Sequence, residues 1–199
     1  STRDWSSDVC SSDLGYWSED SKNLALVKVD NRKVKDLWVI NSIADPRPTL
    51  ETYKYWMPGE KDAPVDHLMI VDMTNKQSKE IDISAFKDQN IGIYAKTPMV
   101  NARDDDFRPN IWLGTNTDLY LSRTSRDLKR IDQCIVNVGS GLIKPLIEER
   151  LNTYVEVRKP GLIKNGEEII EWSERDGWAH LYLDRKSTRL NSSHEWISR

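Results

Sequence analysis

Gly139-Ser140-Gly141 is the nearest this sequence comes to a serine nucleophile. A nucleophile elbow needs Gly-x-Ser-x-Gly at a sharp strand-to-helix turn. Here glycines flank the serine directly, and the runs on either side read as two strands, so Ser140 is expected in a hairpin turn. His67 and His180 stand at strand starts with no Cys or His at metal-ligand spacing. Asp104-Asp105-Asp106 lacks the alternating ligands of a calcium loop and reads as a solvated loop. No catalytic residue, metal site or cofactor is therefore expected. Glu148-Glu149-Arg150 offers two carboxylates, which is what an ammonium group needs for charge-assisted hydrogen bonds. Its place after a strand instead predicts a surface turn. The stretch from Asn152 to Arg158 alternates outward polar groups as a strand would, which puts Tyr154 and Glu156 on one face at i, i+2. Ser173-Glu-Arg-Asp-Gly177 predicts a β-turn, with Gly177 at positive φ and its Arg and carboxylates tying strands together.

The elements that must hold these residues are strands. Leu24–Val29, Leu37–Ile40, Lys79–Ile83, Asp118–Ser122, Asp132–Val138, Ile143–Ile147, Glu168–Trp172 and His180–Leu183 are short apolar or alternating runs bounded by turn-rich clusters. Thr52–Trp56 stops at Pro58-Gly59 and resumes at His67–Val71, which predicts a hairpin with a long connection. Ser84–Asp88 allows one helical turn. No apolar stripe at helical spacing lasts beyond two turns, so the class is all-β. Two cysteines, a net charge of -3 and 38% hydrophobic residues give no basic footprint for nucleic acid. No run reaches the ~18–20 apolar residues needed to span a bilayer.

The two ends read differently. Asp4–Leu14 and Asp184–His194 can be back-translated into strings that are reverse complements of each other, and that string resembles a sequencing-library adapter. Residues 1–14 and 184–199 are accordingly expected to be artefactual, leaving 15–183 as a gene fragment. Cys10 and His194 then carry no chemistry. Cys134 remains alone, with no disulfide open to it.

A weak repeat runs through 15–183. Tyr16–Leu26, Ile111–Leu121 and Leu162–Ile169 share an apolar pair, a polar turn and an apolar strand. Ser122–Asp127 and Ser173–Gly177 share the turn that follows. Trp17, Trp112 and Trp172 are read as equivalent positions in an inter-blade core. Propeller blades of four strands take about 40–50 residues, so this length predicts about three.

Trp17-Ser-Glu-Asp-Ser-Lys22, Arg47-Pro-Thr-Leu-Glu-Thr-Tyr-Lys-Tyr-Trp-Met-Pro-Gly-Glu60 and Trp172-Ser-Glu-Arg-Asp-Gly-Trp-Ala-His-Leu-Tyr-Leu183 resemble the N-terminal propeller of the bacterial dipeptidyl peptidase IV family. Those serine peptidases of the prolyl oligopeptidase family join an eight-bladed propeller to an α/β-hydrolase domain that carries the triad. The resemblance implies a partial propeller of about three four-stranded blades. It implies a role in gating substrate, with the catalytic domain elsewhere on the parent and the fragment inactive alone. The parent's partners would be peptide N-termini, its own hydrolase domain and a second copy in a homodimer, in the periplasm or at the cell surface. The family's substrate-amine glutamates would lie upstream of Trp17, where the adapter-like run stands, so that pair is not expected here. A second family segment near the active site corresponds to residues 152–158. Better-known members place an aromatic and an Arg there, whereas Tyr154, Val155 and Glu156 stand here. Tyr154 and Glu156 are the expected substrate contacts, Glu156 offering a carboxylate to a cationic part of a peptide. The alternative reading is a stand-alone propeller module that binds a protein or a glycan.

Overall fold

The computed structural model describes residues 15–96, 109–164 and 168–185. The adapter-like residues 1–14 and 186–199 and the run Asp104–Asp106 lie outside them. Every named element among the described residues is a β-strand. The first sheet contains β1 (Tyr16–Trp17), β2 (Asn23–Asp30), β5 (Val65–Asp72), β6 (Gln77–Ile81) and β8 (Asn110–Ile111), in the order β6-β5-β2-β1-β8. The second contains β7 (Asn90–Ile93), β9 (Asp118–Thr124), β10 (Arg130–Asn137) and β11 (Ile143–Arg150), in the order β11-β10-β9-β7. The third is β12 (Gly161–Ile163), β13 (Glu168–Ser173) and β14 (His180–Arg185), in chain order. A separate hairpin pairs β3 (Asp36–Asn41) with β4 (Thr49–Lys54). The expected all-β blades are present, with sheets of five, four and three strands rather than uniform fours.

Strand alternation builds the core directly. Leu119 and Leu121 on β9, with Cys134 and Val136 on β10, face the first sheet. There they pack with Ala25, Leu68, Ile70, Ile81, Ile93 and Trp112. The intervening Tyr120 and Ile135 face the third sheet and pack with Tyr94, Ile147 and Ile169. The middle sheet is thus buried on both faces, and each face supplies one seam.

Inner strand β7 gives way partway along. Tyr94 N–H donates to Tyr120 and Leu113 N–H donates to Tyr94, so the returning Trp112–Leu113 stretch takes over beside β9. β8 meanwhile pairs in parallel with β1 and stitches the first two blades together.

Three expectations change. β4 pairs with β3, and β5 pairs with β2 and β6, so residues 52–56 are not the hairpin partner of 67–71. Ser84–Asp88 forms no helix. The Gln89 side chain accepts from the Ala85 and Phe86 amides and donates to Ile83 O, holding a loop instead. Of the three tryptophans, only Trp112 is fully buried, at 1% exposure. Trp17 and Trp112 both precede inner hairpin turns. Trp172 sits a strand further out, on β13, and is covered on one face by an arginine.

Candidate functional site

Residues 151–160 carry the chain from β11, at the edge of the middle sheet, to β12, at the start of the third. They form no strand. Leu151 N–H donates to Lys129 O and Val155 N–H donates to Leu128 O, so the β9–β10 turn holds the segment by its backbone. Val155 is the buried anchor, while Tyr154 stands 60% exposed beside it. The Glu156 carboxylate meets the Arg158 guanidinium at 2.7 Å, and Arg158 lies over the Trp172 ring at 3.6 Å from its centroid. Tyr94 Oη donates to Arg158 O at 3.4 Å, and Lys159 Nζ donates to Ala95 O, so the far end is tied to the end of β7. Tyr154 and Glu156 lie on a clamped loop, so the strand expected over 152–158, and the shared face at i, i+2 that rested on it, are not formed. Glu156 is also partly neutralised, a point that alternation alone does not reveal.

Below the segment lies the second seam. The Glu149 carboxylate accepts from the Ser173 hydroxyl and from the Glu174 amide, capping the β13–β14 turn from the neighbouring blade. Gln133 Nε2 donates to Glu171 Oε1 at 3.1 Å, with both side chains buried. The Arg175 guanidinium pairs with Asp184 and lies over the Tyr182 ring. The turn therefore does what its Ser-Glu-Arg-Asp-Gly pattern predicts, and Gly177 has φ +90. A cleft of about 10 Å³ between Glu156, Val155 and Trp172 has room for one water at most.

Other candidates separate under the same scrutiny. Ser140 lies in the β10–β11 turn, where its hydroxyl donates to Asn137 Oδ1 and its carbonyl accepts from Lys79 Nζ. His67 Nδ1 meets Glu80 Oε1 at 2.6 Å on the first sheet. Both border a hollow of about 290 Å³ that Asp66, Asp82 and Phe86 also line. His180 is on β14, its ring edge-on to Tyr182. Cys134 is wholly buried and burial pushes its thiol up to about 12, which makes it inert.

Glu148 and Glu149 are not in a surface turn. Both belong to β11, so their side chains point to opposite faces, Glu148 outward and Glu149 into the seam. They cannot grip one ammonium group together. The residues that pattern reading missed are Gln133, Glu149 and Glu171. Their signal was parity: Glu171 shares the inward face of Ile169, Gln133 that of Ile135 and Glu149 that of Ile147.

A family model, dipeptidyl peptidase IV N-terminal region, matches residues 10–198. Among solved structures, dipeptidyl peptidase 4 of Porphyromonas gingivalis superposes with a TM-score of 0.73 at 21% identity, covering 94% of this chain and 24% of that one. A Bacteroides ovatus protein assigned as a dipeptidyl aminopeptidase IV gives 0.65 at 20% identity, covering 86% of this chain and 22% of that one. At such identities the likeness is one of fold. The chain spans about a quarter of the length of these relatives. No curated protein gives a significant match.

Proposed function

This chain belongs to the dipeptidyl peptidase IV N-terminal region family, and we propose from that membership that it is the substrate-gating part of a serine exopeptidase. The observation that carries the reading is a family match running across nearly all of the sequence. The parent releases dipeptides from peptide N-termini, with Pro or Ala favoured next to the cut. An α/β-hydrolase domain on the same parent chain supplies the nucleophile.

Residues 151–160 contribute the contact to substrate. Tyr154 offers an exposed ring and Glu156 a carboxylate whose charge Arg158 shares. A cationic peptide group would compete with Arg158 for Glu156, giving a weak, exchangeable contact. The parent pairs as a homodimer. Supporting this, the β3–β4 hairpin exposes Trp38, Ile40, Leu50 and Tyr53, a concentration of apolar surface that marks interfaces. Residues 1–14 and 184–199 are foreign to the parent on this reading, although the family match enters both runs, over 10–14 and 184–198, and Asp184 on β14 pairs with Arg175.

The test is kinetic. The parent gene, sequenced outward from 15–183 and expressed whole, should cleave dipeptide anilides. Tyr154→Ala and Glu156→Ala in that parent should raise KM about 3- to 10-fold with kcat little changed, as expected for lost ground-state binding. A parent lacking a hydrolase domain would overturn the reading in favour of a binding module.

A further inference from the structure

The two seams of the middle sheet solve one problem in different ways. Each is apolar at one end and polar at the other. In the first, Leu119 and Leu121 lead to Arg123 on β9, while Val136 and Cys134 lead to Asp132 on β10. Arg123 Nη2 meets Asp132 Oδ2 at 2.8 Å and Arg150 Nη2 meets Asp132 Oδ1, so this buried carboxylate is compensated by cations. In the second, Ile135 leads to Gln133, Ile147 to Glu149 and Ile169 to Glu171. Two carboxylates and an amide face one another there.

Gln133 and Glu171 are 6% and 2% exposed. One hydrogen bond joins them, from Gln133 Nε2 to Glu171 Oε1. The two atoms left without partners are Gln133 Oε1 and Glu171 Oε2. Each residue of the bonded pair thus keeps one buried oxygen with no donor. Two bare acceptors in one buried seam would each keep their desolvation cost. A proton on Glu171 Oε2 turns one of them into a donor, and Gln133 Oε1 is the orphaned acceptor on the residue already bonded to it. We propose that Glu171 is protonated in the native fold and forms with Gln133 an acid–amide clamp between the second and third blades, so that losing this proton loosens the seam beneath residues 151–160.

The charged surroundings are mixed, with more of them against ionisation than for it. Glu149 on β11 and Asp184 on β14 disfavour a second negative charge, and only Arg175 favours it. Arg175 pairs through its terminal nitrogens with Asp184 and lies over the Tyr182 ring, while its buried Nε has no acceptor. Tyr182 is the cross-strand neighbour of Glu171, and Tyr94, at the end of β7, lies close enough to sense its charge. Burial is the largest influence, and together they push the Glu171 carboxyl up to about 8. The sign follows from linkage. The folded chain keeps a proton that the unfolded chain releases near 4.5, so stability is complete below that pH. It falls as pH rises to about 8 and is level above. Trp172 follows Glu171 in sequence and carries Arg158 on its ring. The segment that bears Tyr154 and Glu156 therefore feels any loosening, whatever its substrate.

The experiment is urea unfolding of the 199-residue chain from about pH 5 to about pH 9, alongside Glu171→Gln. The variant's amide donates to Gln133 Oε1 and accepts from Nε2 at every pH. Relative to it, the wild-type unfolding constant should rise about tenfold per pH unit up to about pH 8 and then run parallel. Parallel profiles throughout would overturn the proposal. If the variant does not fold, the wild type labelled with carbon-13 in its glutamate side chains still decides. One carboxyl signal should titrate near pH 8, and its absence would equally overturn the clamp.

Discussion

Arg158 shows how much one side chain can organise at the residue scale. Its guanidinium touches Glu156 and the Trp172 ring, and its carbonyl accepts from Tyr94. Three elements are joined without any ladder bond. Glycines show the opposite dependence, on what is missing. Gly114 has φ +136, and a Cβ there would lie 2.2 Å from Asp118 O, which is backbone that cannot swing aside. Gly59 has φ +86 with nothing within 4 Å. Gly114→Ala should therefore cost more than about 2 kcal/mol, from strain and clash together, and Gly59→Ala about 1 kcal/mol, from conformation alone. Urea midpoints of the two variants test this ordering. Tryptophans divide in the same manner. Trp112 is fully buried and donates from Nε1 to Thr115 O, whereas Trp38 is 71% exposed. Trp112→Ala should lose about 3–5 kcal/mol, and Trp38→Ala should stay within about 0.5 kcal/mol.

At the element scale, the strands differ by what covers them. β9 and β10 have sheets on both sides and carry buried side chains almost end to end. β3 and β4 have cover on neither, and every residue of β4 is exposed. An exposed two-stranded ribbon is marginal by itself. This one is tethered at its base by Tyr55 N–H donating to Lys35 O and by the Lys35–Glu60 ion pair. Because the hairpin lies outside both cores, Ile40→Asp should leave the urea midpoint of the chain almost unchanged. In the full parent it should shift the dimer towards monomer in sedimentation, and an unchanged dimer would remove the hairpin from the interface. Turns repeat between blades with their chemistry intact. Ser18 and Ser125 each donate from Oγ to an Asp two residues on, Asp20 and Asp127. Each also receives the N–H of the residue that opens the next strand, Asn23 and Arg130. Ser173 has no Asp at that position and turns instead to Glu149 of the neighbouring blade.

At the scale of the whole molecule, two seams hold three sheets together among the described residues. The purified chain should not hydrolyse dipeptide anilides, since the Ser140 hydroxyl is held in a hairpin turn by Asn137. Turnover that co-purifies with the chain through several columns would contradict this. Each seam joins a dry half to a polar half, and the polar halves differ in net charge. Alkaline solution should therefore weaken the second seam before the first, whose Arg123–Asp132 pair is balanced. Hydrogen exchange on the third sheet, compared with Glu171→Gln at the same pH, would show this as faster opening confined to β12–β14.

The all-β class, most of the strands, the Ser173–Gly177 turn and the number of blades were all legible in residues 15–183. Period-two alternation and turn chemistry are local properties, written within a few neighbouring residues. Parity was legible too, but its meaning was not, because a charged residue on an inward face reads as surface until its cover is known. The tertiary structure alone decided that β4 answers β3 and that Glu148 and Glu149 part company. It alone placed Trp172 under Arg158 and Glu171 against Gln133. The last of these joins residues 38 apart in sequence, and Glu149 meets Ser173 across 24. Such contacts arise only when separately folded sheets stack. The stacking determines which groups lose water, and with it which of them must be paired, balanced or protonated.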